Sequence, residues 1–483
     1  MLVLLTTASR VIDLHARAQH GVLVGGLGVN LRRLSAVFAA LIAAVVAGDI
    51  PTVGEPASGL SSPITIAASS IVPIATIPSD FLGFSFDVGS AGGFLGGYFT
   101  PTNTKLIALM GKLGQSGSIR IGGSNSNWTP ASSITTANVR SLHRFMQALG
   151  SGWTLIWGLN IYTDSAADAV SEVGLIEGIF GSGVATYQLG NEPDGHKDKL
   201  TQAQWLSAWG TYYSAIHVAY PDARFAGPDI YDPGGVGVGW TAAFVSAYAN
   251  DVELITQHLY TNNVKNATLA NYMLSGIKKW QTQQFAQKAI ASPLPIRKTE
   301  NNDIVGGGTA GLSNGDISIA WMAADEIFLA EAGWAGINIH ASPIGNVYAP
   351  LHYSDGTWTV WPKFYAMMLC SAANGAGLLP FKMQGGGLMQ FGMAFKNAGA
   401  GNIQFLVTNT DAQYSALFRV SQRGKFATQS VLIASGPSAT STMATLGGAA
   451  INADGSWSGS PISQPYGTVF TLPPASAALI TLQ

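Results

Sequence analysis

Cysteine is nearly absent: Cys370 is the only one in 483 residues, which excludes an intrachain disulfide. It sits in the apolar stretch Phe364 to Ala373, where a free thiol acts as a small packing hydrophobe. No cysteine follows the apolar N-terminal segment, so a lipid anchor is not expected there. Charge is scarce as well, at 10% of residues against a usual value of about 25%. The net charge is −2, and no basic run exceeds Arg32-Arg33 or Lys278-Lys279, which argues against nucleic acid as a partner. The usual cofactor and metal motifs are missing too. No GxGxxG follows the first candidate strand, and Gly306-Gly307-Gly308 is not followed by the Lys-Ser/Thr of a phosphate loop. The eight histidines are scattered without HExxH, so neither a metal nor a cofactor is implied.

What is present is apolar and glycine-rich. Hydrophobic residues make up 47% and glycine contributes 58 positions, too apolar for a disordered chain and suited to a neutral-surfaced extracellular one. Asn30-Leu31-Arg32-Arg33 precedes the apolar run Leu34 to Val46, which ends in small residues suited to cleavage after Ala47. That is the anatomy of a signal peptide, and the run is shorter than the ~20 residues of a membrane span. Residues 1–47 are therefore expected to be an extension plus signal, with Val29 a candidate initiator. Export to the periplasm, cell surface or medium follows, with no membrane insertion after cleavage. Oligomeric state is not legible.

Residues 48–63 read as a Pro/Gly/Ser linker, and 64–78 as one or two strands that join a C-terminal β-domain. From 79 to 375, short β-rich runs alternate with helical stretches. The candidate strands are Leu82–Phe86, Ser118–Ile121, Thr154–Leu159, Ala185–Leu189, Arg224–Ala226, Glu253–Leu259, Pro295–Lys298 and Ala335–Ile339. Eight strand–helix units predict an α/β fold of (β/α)8 TIM-barrel type, with a doubly wound open sheet as the competing reading. Residues 376–483 lose the helical pattern and predict an antiparallel β-sandwich.

The chemistry-bearing residues lie at strand ends. Asn191-Glu192-Pro193 follows the fourth candidate strand and Thr299-Glu300-Asn301 the seventh. In a barrel both glutamates would face one cleft at the carboxyl end. Two facing carboxyl groups are what glycosidic cleavage needs, one to give a proton to the leaving oxygen and one to attack the anomeric carbon. With Glu300 ionised, its charge raises the pKa of Glu192 and keeps it a donor.

On these residues the chain resembles the clan A barrel glycosidases, and within them glycoside hydrolase family 79, the β-glucuronidase and heparanase family. The carrying segments are Ile77-Pro78-Ser79-Asp80-Phe81-Leu82-Gly83, Ile119-Arg120-Ile121-Gly122-Gly123, Gly190-Asn191-Glu192-Pro193, and Thr299-Glu300 followed by Gly306-Gly307-Gly308. The resemblance spans about 64 to 483. It implies a retaining hydrolase with Glu192 as acid/base and Glu300 as nucleophile, acting on a carbohydrate. It further implies that Asn191 meets the sugar 2-hydroxyl, Arg120 keeps Glu300 ionised, and Tyr260 donates to Glu300. Asp87 and Trp157 are candidate subsite contacts, and His258 reads more readily as packing than as catalysis. Uronate-specific members carry a Tyr just before the glycine run, but Val305 stands here. Gly307 and its neighbours, with Tyr348, are the remaining candidates for a sugar carboxylate. A β-glucuronide is the leading expectation, a neutral hexoside the alternative, and a non-catalytic carbohydrate-binding barrel a third. Asn127-Trp128-Thr129 and Asn266-Ala267-Thr268 match the N-glycosylation pattern.

Overall fold

A computed structural model describes residues 62–89, 93–195, 200–231, 237–263, 267–273, 285–397 and 399–483. The signal-like segment, nearly all of the 48–63 linker and Asn266 lie outside the described residues. No helix among the described residues is long and apolar enough to cross a membrane.

Eight parallel strands close a barrel: Leu82–Asp87, Ser116–Gly122, Gly152–Leu159, Ala185–Leu189, Arg224–Ile230, Leu254–Asn263, Ile296–Val305 and Gly336–His340. They are called here the first to eighth barrel strands. Closure runs from Ile337 beside Leu82 to His340 beside Ser85. This is the TIM-barrel class expected from the eightfold alternation. Three of the intervening helices start where the sequence writes a capping box: Thr135 with Asn138, Ser165 with Asp168, and Thr201 with Gln204. Each pair satisfies N–H groups that the first turn cannot satisfy for itself.

The sixth and seventh strands run further than an apolar pattern suggests. Between Ile296 and Ile304 the seventh strand has no apolar residue, yet every position there is buried. Such a strand is tolerated only because its polar groups are paired. Lys298 Nζ donates to Asp325 at 3.0 Å, Asn301 Nδ2 donates to the same carboxylate at 2.7 Å, and Lys363 meets Asp303 at 3.2 Å. Arg297 fills the opposite, amino-terminal end of the barrel, where it donates to Asn338 at 2.6 Å and to the carbonyls of Asp80 and Phe81. Gly336 passes so close that a Cβ there would lie 2.2 Å from the guanidinium.

Among the described residues the remaining strands form a hairpin, Leu351–Ser354 with Thr357–Val360, and two larger sheets. In the smaller one, Ile64–Ala68 runs antiparallel to Phe381–Gln384 and parallel to Ala416–Val420, and Phe470–Leu472 completes it. The larger, eight-stranded sheet is antiparallel and takes in Ala75–Thr76 at one edge. Ile64, Ile66, Phe405, Val407, Phe418 and Ile480 share the core between the sheets. The strand at 64–68 alternates buried and half-buried residues, the pattern of a strand with one face inward. Helix Ile317–Glu331 packs on the larger sheet, with Phe328 edge-on to Phe391 at 5.0 Å. It is buried on nearly every side, which explains its lack of a polar stripe. Cys370 ends helix Pro362–Cys370 and is fully buried.

Trp157 requires a correction. It does not face the cleft: it is 0% exposed, packs edge-on to Phe94 at 5.1 Å, and donates Nε1–H to Glu172 of helix Ala166–Phe180 at 2.7 Å. Its strand register pairs it with Ile121, on the face that packs against the helices. Asn127 is equally unsuited to its glycosylation pattern, being 0% exposed with its side chain in use. Trp157→Phe leaves Glu172 buried without its donor and should cost about 1 to 3 kcal/mol. Urea unfolding should register that loss while KM is unchanged; a changed KM at unchanged stability would restore Trp157 to the substrate site.

Candidate active site

The site is assembled at the carboxyl ends of the strands from side chains that two bulges re-aim. Opposite Pro228 and Ile230, the sixth strand presents the consecutive residues Thr256 and Gln257, so Asp229 is an extra residue in the fifth strand. Thr299 is likewise extra in the seventh, between Lys298 opposite Gln257 and Glu300 opposite His258. A bulge turns the residues that follow it off the regular alternation. Asp229 has φ 58° and Glu192 φ 48°, a left-handed conformation uncommon for residues other than glycine. The two strained residues support each other, since the Glu192 N–H donates to the Asp229 carbonyl at 2.9 Å.

Arg120 lies at the centre, fully buried, and each of its five N–H donors has a partner. Nε donates to Gln188 Oε1 at 2.8 Å. One terminal nitrogen donates to Ser85 at 3.0 Å and Glu300 Oε2 at 2.8 Å, the other to Asn191 Oδ1 at 2.7 Å and Asp229 Oδ2 at 2.6 Å. By claiming the oxygen of the Asn191 amide, Arg120 fixes its orientation, so what Asn191 can offer a ligand is its NH2. Asn127 clamps the same residue, donating to its carbonyl and accepting from its N–H, both at 2.9 Å.

Glu300 is 6% exposed at its side chain and accepts from Tyr260 at 2.7 Å as well as from Arg120. His340 Nδ1 lies 3.2 Å from the same carboxylate and 2.9 Å from the Tyr260 hydroxyl. Its other nitrogen is 3.1 Å from Ser342 and 3.4 Å from Asp87, to which Ser342 donates at 2.7 Å. Tyr348 reaches His340 Nδ1 at 3.2 Å. Burial opposes ionisation of Glu300, but His340, His258 and Arg120 outweigh it and hold the carboxyl well below its ordinary range.

Glu192 is the more open of the two acids, with a quarter of its side chain exposed. His258 Nδ1 lies 2.8 Å from its Oε1, and Nε2 lies 2.8 Å from Asp229 Oδ1. Burial pushes the Glu192 carboxyl upward; His258 works against this, and the charges of Glu300 and Asp194 add to it. For His258, burial disfavours the charge, yet Asp229 and then Glu300 hold the proton and lift its pKa to about 10. The imidazolium then donates from both nitrogens. The two carboxyl groups are thus displaced in opposite directions, Glu192 toward keeping its proton and Glu300 toward losing it, as acid-assisted displacement at an acetal carbon requires.

Glu192, His258 and Glu300 bring a carboxylate oxygen, a ring nitrogen and a second carboxylate oxygen within 4.8 Å of one another. His258 Nδ1 faces Glu192 and its Nε2 faces Asp229, so both ring nitrogens are already engaged within the network.

The structure therefore brings together Glu192, Glu300, Asn191, Arg120, Tyr260, Asp87 and Tyr348. Gly307 lies at the rim: its carbonyl accepts from Val347 at 2.8 Å, tying the glycine run to the loop that carries Tyr348. Val305, like Tyr231, packs against the cluster of Tyr260, Tyr348 and Ala349 and adds an apolar surface to it. Sequence reasoning missed Asp229, His340, Ser342, Gln188 and Asn127, and undervalued His258. Two of these had a signal: Asp229 follows Gly-Pro just beyond a candidate strand, and His340 directly follows the eighth.

No family model matches the chain, and no curated protein matches its sequence. Solved structures do match. A 4-O-α-L-rhamnosyl-β-D-glucuronidase from Fusarium oxysporum 12S superposes with TM-score 0.70 and 18% identity, covering 86% of this chain and 100% of that one. A GH51 arabinofuranosidase from Xanthomonas axonopodis pv. citri gives 0.67 and 16%, covering 87% and 100%. A monomeric β-xylosidase from Caulobacter crescentus CB15 gives 0.57 and 12%, covering 87% and 99%. At such identities the likeness establishes the fold: a TIM barrel carrying a β-sandwich.

Asp229→Asn should test the charge network. Removing one partner of a buried ion pair costs about 3 to 5 kcal/mol. The His258 pKa should fall from about 10 toward the ordinary imidazole value near 6.5, read by NMR titration. A raised folded pKa stabilises fully below about pH 6.5 and loses that contribution as pH climbs through about 10. Wild-type resistance to urea should therefore decline across that window, and less steeply in the variant. An unmoved His258 titration would contradict the assigned network.

Proposed function

We propose that the chain is a retaining glycoside hydrolase in which Glu192 is the acid/base and Glu300 the nucleophile. The observation that carries this reading is the pair itself: carboxylates from the fourth and seventh strands, oxygens within 4.8 Å, with pKa values displaced in opposite directions. Retaining enzymes hold their carboxyl groups about 5 to 5.5 Å apart, whereas inverting ones leave room for a water at roughly 6.5 to 9.5 Å. The structural neighbours are glycosidases, which supports the same class.

In the first half-reaction Glu300 attacks the anomeric carbon while Glu192 gives its proton to the leaving oxygen. Glu192 then takes a proton from water, which displaces Glu300 and regenerates both groups. Arg120, Tyr260 and His340 hold Glu300 anionic and aimed; Tyr260 stays a donor because burial, then Glu300, push its phenol far up. The Asn191 NH2 meets the hydroxyl next to the reacting carbon. A chain this intact at both carboxylates is a poor fit for a binding protein that has lost turnover.

For the sugar, the family resemblance and the glycine run beside Tyr348 support a β-glucuronide. Val305 supports the second reading, a neutral β-hexoside, since an isopropyl group packed on the tyrosine cluster donates nothing to a carboxylate. The targeting segment supports a secreted or cell-surface location.

Matched 4-nitrophenyl β-glucuronide and β-glucoside separate the readings, with Glu300→Ala as the blank, expected to lose on the order of 10³-fold or more. Preference for the glucoside would make Val305 the determinant, and no Glu300-dependent turnover of any aryl glycoside would overturn the assignment. The pH profile of kcat/KM should be bell-shaped. Its acid limb is the ionisation of Glu300, and its alkaline limb, above the ordinary carboxyl range, is loss of the Glu192 proton. Glu192→Gln should abolish the alkaline limb and slow substrates with poor leaving groups by about 10² to 10⁴.

A further inference from the structure

Asp87, Ser342 and His340 lie on the first- and eighth-strand side of Glu300, and they are the polar groups suited to the remaining hydroxyls of a reacting sugar. On the opposite side, over the fifth and sixth strands, stands the ring of Tyr231, 6.2 Å from Tyr260. A hydroxyl-rich ring belongs over the first side, which leaves the fifth- and sixth-strand side to the departing group. The far end of the reacting sugar, away from the anomeric carbon, then points at Asp87 and whatever lies beyond it.

Beyond it lies the loop that follows the second strand. Gly123 runs against Asp87, where a Cβ would fall 2.0 Å from Oδ1, and Gly89 lies against Asn125. A cavity of about 400 Å³ opens there, lined by Leu95, Asn125, Trp128, Thr129, Pro130 and Ser133. The Trp128 side chain is prominent on this wall, since the residue is 45% exposed while most of the protein's large rings are buried. Its ring centre is 6.2 Å from Tyr162, which packs against Gly190 two residues before Glu192. The loop is held before any ligand arrives. Ser126 donates to the Gly123 carbonyl at 2.8 Å, Thr129 to Asn125 at 2.9 Å, and the Ala131 N–H to Asp164 at 2.7 Å; Asn127 is clamped to Asn191. An indole fixed at the edge of a polar groove offers a flat apolar face to the C–H side of a pyranose, and a preformed site spends little on ordering.

We propose that the groove beside Trp128 is a subsite for a second sugar unit, joined to the far end of the reacting sugar. The preferred substrate is then a glycosylated glycoside, from which the protein releases a disaccharide or longer unit. This rests on the glycosidase reading above, and adds to it the side on which the substrate is extended.

The test compares 4-nitrophenyl β-glucoside with 4-nitrophenyl β-cellobioside, and 4-nitrophenyl β-glucuronide with its 4-O-glycosylated form, in wild type, Trp128→Ala and Trp128→Phe. For the pair with the accepted sugar, kcat/KM should be higher for the extended substrate. Trp128→Ala should remove about tenfold from the extended substrate alone, chiefly in KM, and Trp128→Phe should recover part of it. Equal losses on plain and extended substrates, or no preference for extension, would overturn the subsite while leaving the hydrolase intact. So would a Trp128→Ala effect confined to substrates with a longer leaving group. Calorimetric binding of the same glycosides to Glu300→Gln protein separates the two claims. Trp128-dependent binding of the extended form without wild-type turnover keeps the subsite and sinks the hydrolase; equal binding of plain and extended forms sinks the subsite.

Discussion

A guanidinium without water is the constraint on which the site depends. Arg120 is buried, and its desolvation is tolerated only because two carboxylates, two amides and a serine hydroxyl take every donor. Those partners come from the first, fourth, fifth and seventh strands and from the loop after the fourth, so one side chain gathers most of the barrel's carboxyl end. Its consequences run outward in order. It holds Asp229 ionised; Asp229 holds the proton on His258; His258 contacts Glu192. On its other side it helps hold Glu300 ionised. The ionised state of Glu300 thus rests partly on one buried cation, whereas Glu192 is pushed the other way by its own burial and by the charge of Glu300, against the pull of His258.

The polar seventh strand belongs to the same economy of charge. Its outward groups are paired with Asp325 and Lys363 from the helices behind it, so Glu300 stands on a strand fixed from both faces. The apolar mass that anchors this layer is helix Ile317–Glu331, packed between barrel and sheet. Precision at the cleft is obtained by burying many polar groups in pairs.

The barrel was legible because eight short β-rich runs alternate with helices, and Glu192 and Glu300 were legible because each lies at or beyond the apolar part of such a run. The family resemblance set Arg120 and Tyr260 against Glu300, where both lie, but not Arg120 against Ser85, Gln188 or Asp229. Asp229 was not, because apolar periodicity stops at Ala226 and a bulge leaves no periodic mark. The seventh strand was read as ending at Lys298, since its continuation is polar and its pairing lies in residues far along the chain. Trp157 was misplaced for a related reason. Whether a strand-end Trp faces cleft or helix depends on register, and the pairing of Ile121 with Trp157 is a cross-strand fact. What the sequence hides here is interstrand register, and with it the direction in which a side chain points.

The central claim is that Glu300 forms a bond to the sugar while Glu192 handles the proton. A 2-deoxy-2-fluoro glycoside with an activated leaving group slows the second step and should trap that bond. Mass spectrometry of peptides from the trapped protein is the most direct measurement. The account predicts one added glycosyl unit on the peptide containing Glu300, absent from Glu300→Ala and retained by Glu192→Gln. Label on the Glu192 peptide, or turnover that inverts the anomeric centre with no adduct, would contradict it.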